Sequence, residues 1–273
     1  MHHYAVADAF ADKPLHGNPV AVFFDADDLT PEQMQRIARE TNLSETTFVL
    51  RPLEGGDARV RIFTPVNELP FAGHPLLGTA IVLGRGSLRL ETAMGIVPFE
   101  VSDGYAVMRQ PVPSWRPFDR TSELLDALGV PEPPYPVEIY HNGPRHVLVG
   151  LDSVAALSKV DPDHRALGGF EDMAINCIAG GGTQWRNRMF SPAYGVVEDA
   201  ATGSAAGPIA IHVARHAQAP HGEWVDIEQG VEIGRHAWMR ARIEVGGEPG
   251  GDRVESVEVG GHAVVVARGT FHV

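Results

Sequence analysis

An internal repeat limits the folds that this chain can adopt more than any other feature of its sequence. The pentapeptide Arg61–Pro65 (RIFTP) is matched 127 residues later by Arg188–Pro192 (RMFSP). Solenoid and propeller repeats recur every 20 to 50 residues or so, which is far shorter than this spacing. The repeat therefore predicts two similarly folded halves.

Each copy of the repeat is followed by an acidic residue and then by a glycine that opens a run of small residues. Glu68 precedes Gly73 in the first copy, and Glu198-Asp199 precedes Gly203 in the second. A helix that begins at a glycine offers free backbone N–H groups and the positive end of its dipole, which suit a carboxylate or an enolate oxygen. Two such helices facing a cleft between the halves could hold an anionic small molecule from both sides.

The order of local patterns predicts the elements that carry these motifs. Residues Ala5–Phe10 and Pro19–Phe24 read as a hairpin around a turn at Gly17-Asn18, and Thr30 is a predicted N-cap with Pro31 at the first helical position. A strand is predicted from Glu45 to Leu50, and the apolar run Gly73–Leu83 predicts a helix that is buried on all sides.

We predict an N-terminal domain over residues 1–115 with Glu45 and His74, and a C-terminal domain over residues 130–273 with Asp199 and Ser204. Residues 116–129 form the predicted linker, in a region rich in proline that carries one short helix. The last strand of the chain is the element that could cross between the domains.

Charge and composition exclude several classes of partner. The chain has 22 basic and 35 acidic residues, a net charge of −13 that repels phosphate backbones and anionic lipids, and it contains no basic run. Its apolar stretches are much shorter than the roughly 20 residues of a membrane span. We expect no nucleic-acid or membrane partner. Because residues 1–10 lack the pattern of a signal peptide, we expect a cytoplasmic protein.

The sequence also lacks the usual cofactor motifs. Only two lysines are present, Lys13 and Lys159, and neither belongs to a phosphate-binding loop; no G-x-G-x-x-G sequence occurs either. The single cysteine, Cys177, lies among apolar residues and is expected to be buried and inert. His212 and His216 have metal-ligand spacing, yet no third ligand follows at a convincing interval. We predict no cofactor and no metal.

Three side chains near the repeated motifs are candidates for catalysis. Taken singly, Glu45 could be an exposed carboxylate at a helix-to-strand junction, Asp199 a loop or cap residue, and His74 a packed or capping histidine. Taken together, two carboxylates and an imidazole in the duplicated segments could remove a proton from carbon and return it.

Five segments carry a resemblance to a known family. They are Gly17–Val22 (GNPVAV), Asn42–Phe48 (NLSETTF), Glu68–Pro75 (ELPFAGHP), Tyr140–His146 (YHNGPRH) and Arg188–Gly207. Over nearly the whole chain, the sequence resembles the PhzF family of phenazine biosynthesis.

This resemblance implies the α+β fold of the diaminopimelate epimerase type. In that fold two similar α/β domains each wrap a curved sheet or barrel around a central helix, and the active site lies between them. The implied activity is a cofactor-independent isomerisation. It moves a proton from C3 to C1 of trans-2,3-dihydro-3-hydroxyanthranilate and gives its aminoketone tautomer. The resemblance also implies a homodimer.

The resemblance assigns roles position by position. Glu45 would shuttle the proton, Asp199 would hold the amino group of the substrate, and His74 would assist by hydrogen bonding. The residues expected to bind or line the substrate are Asn18, Ser44, Gly73, Gly203 and Ser204.

Two alternatives stay open. The chain could be a PhzF-like isomerase or epimerase for another small cyclic or amino-acid substrate, although thiol chemistry is disfavoured because Cys177 lies away from both helix starts. It could also be a catalytically silent, ligand-binding member of the family. Exchange of substrate protons with solvent separates an enzyme from a silent member, and trials with several substrates separate the two enzymes.

Overall fold

The computed structural model of the chain describes residues 1–84, 86–246 and 253–273. Its first half contains eight strands and two α-helices. In chain order these are β1 (His2–Ala9), β2 (Asn18–Phe23), α1 (Pro31–Thr41), β3 (Glu45–Leu50), β4 (Ala58–Phe63), β5 (Glu68–Leu69), α2 (Gly73–Leu83), β6 (Gly86–Thr92), β7 (Gly95–Ser102) and β8 (Tyr105–Gln110). A short 3-10 helix, Ala26–Asp28, precedes α1.

The second half begins with one strand and one helix, β9 (Ser114–Pro117) and α3 (Thr121–Leu128), and then repeats the order of the first. The repeated elements are β10 (Glu138–His141), β11 (Arg145–Gly150), α4 (Val154–Leu157), α5 (His164–Leu167), β12 (Ala174–Gly181), β13 (Gln184–Ser191), β14 (Val196–Asp199), α6 (Gly203–His216), β15 (Val225–Gln229), β16 (Ala237–Gly246) and β17 (Arg253–Phe271). A 3-10 helix, Pro192–Tyr194, lies between β13 and β14. The match in order extends the repeat seen in the sequence to the whole fold.

Eight strands close a ring around α2 in the first half. The ring runs β1, β2, β3, β4, β6, β7, β8 and β17, and β17 pairs back with β1. All neighbours are antiparallel except β2 with β3 and β4 with β6. This closed barrel explains why α2 is apolar on all sides, since strands surround it.

The second half arranges its strands in the same way around α6. They run β9, β10, β11, β12, β13, β15, β16 and β17, with parallel pairs at β11–β12 and β13–β15. Strand β17 serves both halves, because residues Arg253–Gly260 pair with β16 and residues Ala263–Phe271 pair with β1. The two halves are therefore joined by backbone hydrogen bonds as well as by the chain.

Several local predictions are confirmed. Strands β1 and β2 form an antiparallel hairpin. Helix α1 begins after Thr30 with a capping box, in which Thr30 and Gln33 bond each other's backbone. The predicted fold class, two similar halves that each wrap strands around a central helix, is confirmed as well.

The hydrophobic core is continuous between the halves. One cluster of buried residues contains side chains of both central helices, among them Leu76 of α2 and Ile209 of α6. Helix α3, which lies within the predicted linker 116–129, buries Leu124 and Leu128 against strands of the second half in a separate cluster. The division into domains at residues 1–115 and 130–273 stays a prediction.

None of the helices in the three described ranges combines the length and apolar character that a membrane span requires.

Candidate active site

The two central helices begin against each other between the halves. A Cβ atom added to Gly73 would lie 2.4 Å from the carbonyl carbon of Gly203 and 2.4 Å from the amide nitrogen of Ser204. A Cβ added to Gly203 would lie 2.8 Å from the amide nitrogen of His74. Both positions require glycine, because any side chain would separate the two helix starts.

Neither helix start is capped by a side chain. The side chain of Thr30 caps α1. The side chains of Ala72 before α2 and Thr202 before α6 accept no hydrogen bond from the first turn. The first N–H groups of a helix need an acceptor, and the helix dipole favours a negative one. The two buried, converging starts at Gly73 and Gly203 therefore suit an anion such as a carboxylate.

Two amide side chains hold the first turn of α6 in place. Gln110 at the end of β8 donates to the carbonyl oxygen of Gly203 at 2.8 Å, and Asn142 donates to that of Ser204 at 2.9 Å. One comes from each half of the molecule, so the position of the helix start depends on both.

Glu45 and His74 form a close pair on the first-half side of the site. Glu45 is the first residue of β3, and its Oε2 lies 3.2 Å from Nε2 of His74 in the first turn of α2. Neither atom makes a well-aligned hydrogen bond within the described residues. Burial, together with the negative charge of Asp199, raises the pKa of Glu45 well above its ordinary 4.5. Burial lowers the pKa of His74 to about 3, so this imidazole is neutral near pH 7.

Asp199 occupies the opposite side, at the end of β14. Its Oδ1 accepts from Nδ2 of Asn18 at 2.8 Å, and its Oδ2 accepts from the hydroxyl of Thr202 at 2.7 Å. Burial raises the pKa of Asp199, and these two hydrogen bonds oppose that rise. Both oxygens are thus fixed in direction by neutral donors.

Asn18 connects the two sides of the site. Besides Asp199, its Nδ2 contacts Nδ1 of His74 at 3.2 Å and the carbonyl oxygen of Ala201 at 3.1 Å. The side chain is buried behind His74 and Asp199 and is not among the residues that line the cavity. Its contacts orient the two residues in front of it.

These residues surround a cavity of about 280 Å³ between the halves. The other seven residues that the sequence singled out all line it: Ser44, Glu45, Gly73, His74, Asp199, Gly203 and Ser204. A cavity of this size fits a molecule with a single six-membered ring. The structure places the predicted residues together; their chemical roles stay predictions.

The conserved arginine of the two repeats within this chain has a structural task. In the first copy, Arg61 donates to both carboxylate oxygens of Glu68 at 2.7 and 2.6 Å. In the second, Arg188 donates to those of Glu198 at 2.9 and 2.8 Å. Each pair ties the end of a strand to the loop that leads into a central helix, which explains why an acidic residue follows each pentapeptide.

One buried histidine that lines the cavity received no role from the sequence. His146 at the start of β11 is buried and lines the cavity, and its Nε2 has no hydrogen-bond partner within the described residues. A signal was available in β12, where Asn176 interrupts an otherwise apolar run that begins at Ala174. A buried amide requires partners, so such residues mark a polar interior.

No third metal ligand follows His212 and His216 at a convincing interval in the sequence, but the fold brings a carboxylate beside them from β10. Glu138 of β10 lies 3.4 Å from Nδ1 of His212 and 3.1 Å from Nε2 of His216, and the three ligand atoms lie within 4.8 Å of one another. The same carboxylate oxygen accepts from Arg215 at 2.5 Å and from Tyr140 at 2.8 Å. A cation there would meet the guanidinium, so this cluster fits a buried ion pair better than a metal.

Cys177 is buried on β12, as the sequence predicts, and burial raises the pKa of its thiol to about 12. A thiol with this pKa has almost no thiolate near pH 7 and is a poor nucleophile or base.

The arrangement as a whole can bind an anion at the helix starts and move a proton beside it. A carboxyl whose pKa is raised by burial takes up a proton more readily than an ordinary one, which suits proton transfer. A second, hydrogen-bonded carboxylate faces it and can accept from a donor group of the bound molecule.

The sequence was compared with protein families and with known proteins, and both comparisons give full-length matches. The family described as "Phenazine biosynthesis-like protein" (PhzC-PhzF) matches residues 7–269. The trans-2,3-dihydro-3-hydroxyanthranilate isomerase of Pseudomonas aeruginosa is 64% identical, with 98% of this chain and 99% of that protein covered. The isomerase of the same name from Pseudomonas chlororaphis is 63% identical, with 99% of each chain covered.

A solved structure matches over the same length. The PhzF-family phenazine biosynthesis protein of Bacillus anthracis superposes with a TM-score of 0.88 at 27% identity, and the match covers 100% of this chain and 99% of that one. The chain is an isomerase with a small-molecule substrate, and it belongs to the PhzC-PhzF family of phenazine biosynthesis-like proteins.

Proposed function

We propose that this isomerase converts trans-2,3-dihydro-3-hydroxyanthranilate into its aminoketone tautomer, in phenazine biosynthesis, by cofactor-free proton transfer from C3 to C1. The relatives named for this reaction match the full chain. The observation that carries the proposal is the position of Glu45, a half-buried carboxylate whose Oε2 makes no aligned hydrogen bond within the described residues. It lies between two helix starts that have no side-chain caps there, and opposite Asp199.

Each polar group of the substrate has a complementary group in the site. The carboxylate lies at the converging N-termini of α2 and α6, where the N–H groups of Gly73 and Gly203 are buried and free of side-chain caps. The amino group donates to Asp199, whose orientation is fixed by Asn18 and Thr202. This leaves the ring between them, next to Glu45.

Glu45 then acts as base and acid in turn. Its carboxylate takes the proton from C3, and the electron pair of the broken C–H bond moves through the conjugated double bonds of the ring towards C1. The carboxylic acid so formed delivers the proton to C1, which gives an enol that tautomerises to the ketone. The reaction is balanced without an oxidant, reductant or metal. Neutral His74, whose Nε2 lies 3.2 Å from Oε2 of Glu45, assists by donating to this carboxyl once the two groups align around the substrate.

Homodimerisation and a cytoplasmic location are further proposals. Both follow from the family resemblance.

The test is turnover of purified protein with the dihydro-hydroxyanthranilate, followed by NMR, with and without exhaustive chelation. We expect equal turnover in both samples. Loss of activity with EDTA and recovery with zinc would contradict the cofactor-free reaction and assign a role to Glu138, His212 and His216. Turnover of another cyclic or amino-acid substrate alone would replace the proposed substrate. No exchange of substrate protons with solvent for any of them would indicate a ligand-binding member.

A further inference from the structure

His146 is a buried, cavity-lining histidine that the proposed reaction leaves without a task. It lies at the start of β11, is 1% exposed, and has an Nε2 atom without a partner in the described residues. A buried polar atom without a partner is destabilising unless something else satisfies it. Because His146 lines the cavity, a bound molecule can supply that partner.

The role of His146 depends on which ring nitrogen carries the proton. A neutral imidazole has one donor and one acceptor nitrogen, and the partner of one nitrogen decides the state of the other. Burial lowers the pKa of His146 to about 3, so the ring is neutral under ordinary conditions. Its Nδ1 faces Nδ2 of Asn176 at 3.4 Å.

A chain of buried amides fixes the direction of that contact. It starts at backbone atoms, whose donor or acceptor character is certain. The N–H of Thr202 donates to Oε1 of Gln229 at 3.1 Å, and the carbonyl oxygen of Asp199 accepts from Nε2 of Gln229 at 2.9 Å. These two contacts set the orientation of the Gln229 amide.

The orientation passes along the chain to His146. Since Oε1 of Gln229 accepts, Asn187 donates to it through Nδ2 at 2.9 Å, and the second hydrogen of the same Nδ2 goes to Oδ1 of Asn176 at 3.1 Å. Asn176 therefore turns its Nδ2 towards the imidazole. The backbone oxygen of Ala174 confirms this direction independently, because it accepts from the same Nδ2 at 3.0 Å.

Nδ1 of His146 is thus an acceptor, and its Nε2 carries the hydrogen. Three substrate groups need partners in the proposed reaction. The carboxylate has the helix starts, and the amino group has Asp199, which accepts. The oxygen at C3 is left, and it is a hydroxyl in the substrate and a ketone oxygen in the product.

We propose that His146 is a further substrate-binding residue, a neutral imidazole whose Nε2–H donates a hydrogen bond to the C3 oxygen of the substrate. This inference rests on the proposed function for the identity of the oxygen. The amide chain holds the tautomer and links it to the turn that carries Asp199, so the same buried network positions the groups that recognise the oxygen and the amino group.

The tautomer is tested first, in the unliganded protein, by NMR of histidine ring nitrogens labelled with nitrogen-15. We expect His146 to carry its hydrogen on Nε2 and to stay neutral between roughly pH 5 and 8, the range in which an ordinary histidine titrates. A hydrogen on Nδ1, or a ring that becomes charged in this range, would overturn the proposal whatever the substrate is.

The contact is tested by calorimetry with two ligands that differ in one oxygen, 3-hydroxyanthranilate and anthranilate. Loss of one hydrogen bond is worth about a tenfold change in affinity. We expect His146→Leu to lower the affinity for 3-hydroxyanthranilate by about that factor. Its affinity for anthranilate should stay within about twofold of the parent's. His146→Gln, which keeps an N–H donor near the position of Nε2, should recover part of the loss.

His212→Gln is the matched control. His212 is also buried, and its Nε2 has no partner among the residues that the structure describes, but it lies outside the cavity. It should bind both ligands as the parent does. Equal weakening of both ligands by His146→Leu would mean that His146 only shapes the cavity, and no change in either would mean that it does not touch the ligand. Should His146→Leu not fold, the NMR result and the ligand preference of His146→Gln decide.

The outcomes separate this inference from the proposed function. If the parent does not turn over the dihydro-hydroxyanthranilate, the proposed function fails while the two-ligand comparison still measures the contact. If turnover is normal and His146→Leu shows no selective loss, only the role of His146 fails.

Discussion

The two halves of the molecule share one scaffold and place their carboxylates differently on it. By strand register, Glu45 pairs with Val20 in the first half, and the corresponding position of the second half, opposite His146, is Ala174. At this register position the first half has a carboxylate and the second half has an apolar residue. The reverse holds at the position of Asp199.

Asp199 pairs with Met189 on β13, and the corresponding residue opposite Ile62 on β4 is Leu69. The environments differ as well. Both oxygens of Asp199 are hydrogen-bonded, whereas Oε2 of Glu45 has no aligned partner in the part of the chain that the structure describes. A satisfied carboxylate is suited to hold a ligand and an unsatisfied one to exchange a proton. The comparison shows that the two halves share a frame and differ at single register positions, and on the proposed roles this difference separates substrate binding from proton transfer.

The largest effect is expected from removing the proton carrier. Glu45→Gln keeps the size of the side chain but cannot accept or deliver a proton. Turnover should fall by about 10² to 10⁴ or more, while the affinity for 3-hydroxyanthranilate stays within a few-fold of the parent. Glu40→Gln, at an exposed position of α1, is the control. Near-normal turnover in Glu45→Gln would contradict the assignment of proton transfer to the first half.

Asp199→Asn tests the other half and should give a different pattern. Loss of a charged hydrogen-bond partner is worth roughly 1.5 to 3 kcal/mol, or about 10- to 100-fold in affinity. We expect two quantities to fall together: the affinity for 3-hydroxyanthranilate, measured by calorimetry, and the turnover at low substrate concentration, measured as initial rates. Unchanged affinity with reduced turnover would show that Asp199 serves the chemistry instead.

The pH dependence links the two carboxylates. Since the pKa of Glu45 is raised, activity should be lost on acidification at a pH well above 4.5, where the base becomes protonated. The charge of Asp199 contributes to that rise, so Asp199→Asn should move this acid limb to lower pH. Asp119→Asn, which removes an exposed charge paired with Arg116, should leave it in place. An upward shift in Asp199→Asn would contradict the electrostatic coupling.

The smallest effect concerns stability. A carboxyl whose pKa is raised on folding binds protons more readily in the folded state. Its favourable contribution to the free energy of unfolding is therefore complete below pH 4.5. This contribution is lost as the pH rises through the raised pKa. Glu45→Gln should have a higher melting temperature than the parent near neutral pH, and the difference should vanish towards pH 4. A destabilised variant at pH 7 would show that Glu45 supports the fold.

The sequence predicted what depends on local pattern and on the repeat. The capped helix α1, the strand that begins at Glu45 and the all-round burial of α2 each follow from residues a few positions apart. The architecture of two similar halves, each wrapping strands around a central helix, followed from the repeat and the family resemblance. The candidate residues Glu45, His74 and Asp199 came from the same motifs, and the structure gathers them around one cavity.

Contacts between distant residues could not be predicted. Gln229 bonds Asn187 across 42 positions, and Glu138 lies against His212 across 74. The local sequence around these residues does not predict their partners, because the order of the strands in the sheet decides which residues meet. For this reason the amide chain, the role of His146 and the third member of the His212–His216 cluster emerge only from the fold.

The most direct measurement uses substrate deuterated at C3 and follows the label by NMR and mass spectrometry at saturating substrate. For the parent we predict a slowed reaction and partial transfer of deuterium to C1, because one carboxyl carries it between the two carbons. Asp199→Asn should retain this transfer once substrate saturates it, and Glu45→Gln should show none. Transfer at the parental rate in Glu45→Gln would contradict the assignment of the proton to Glu45.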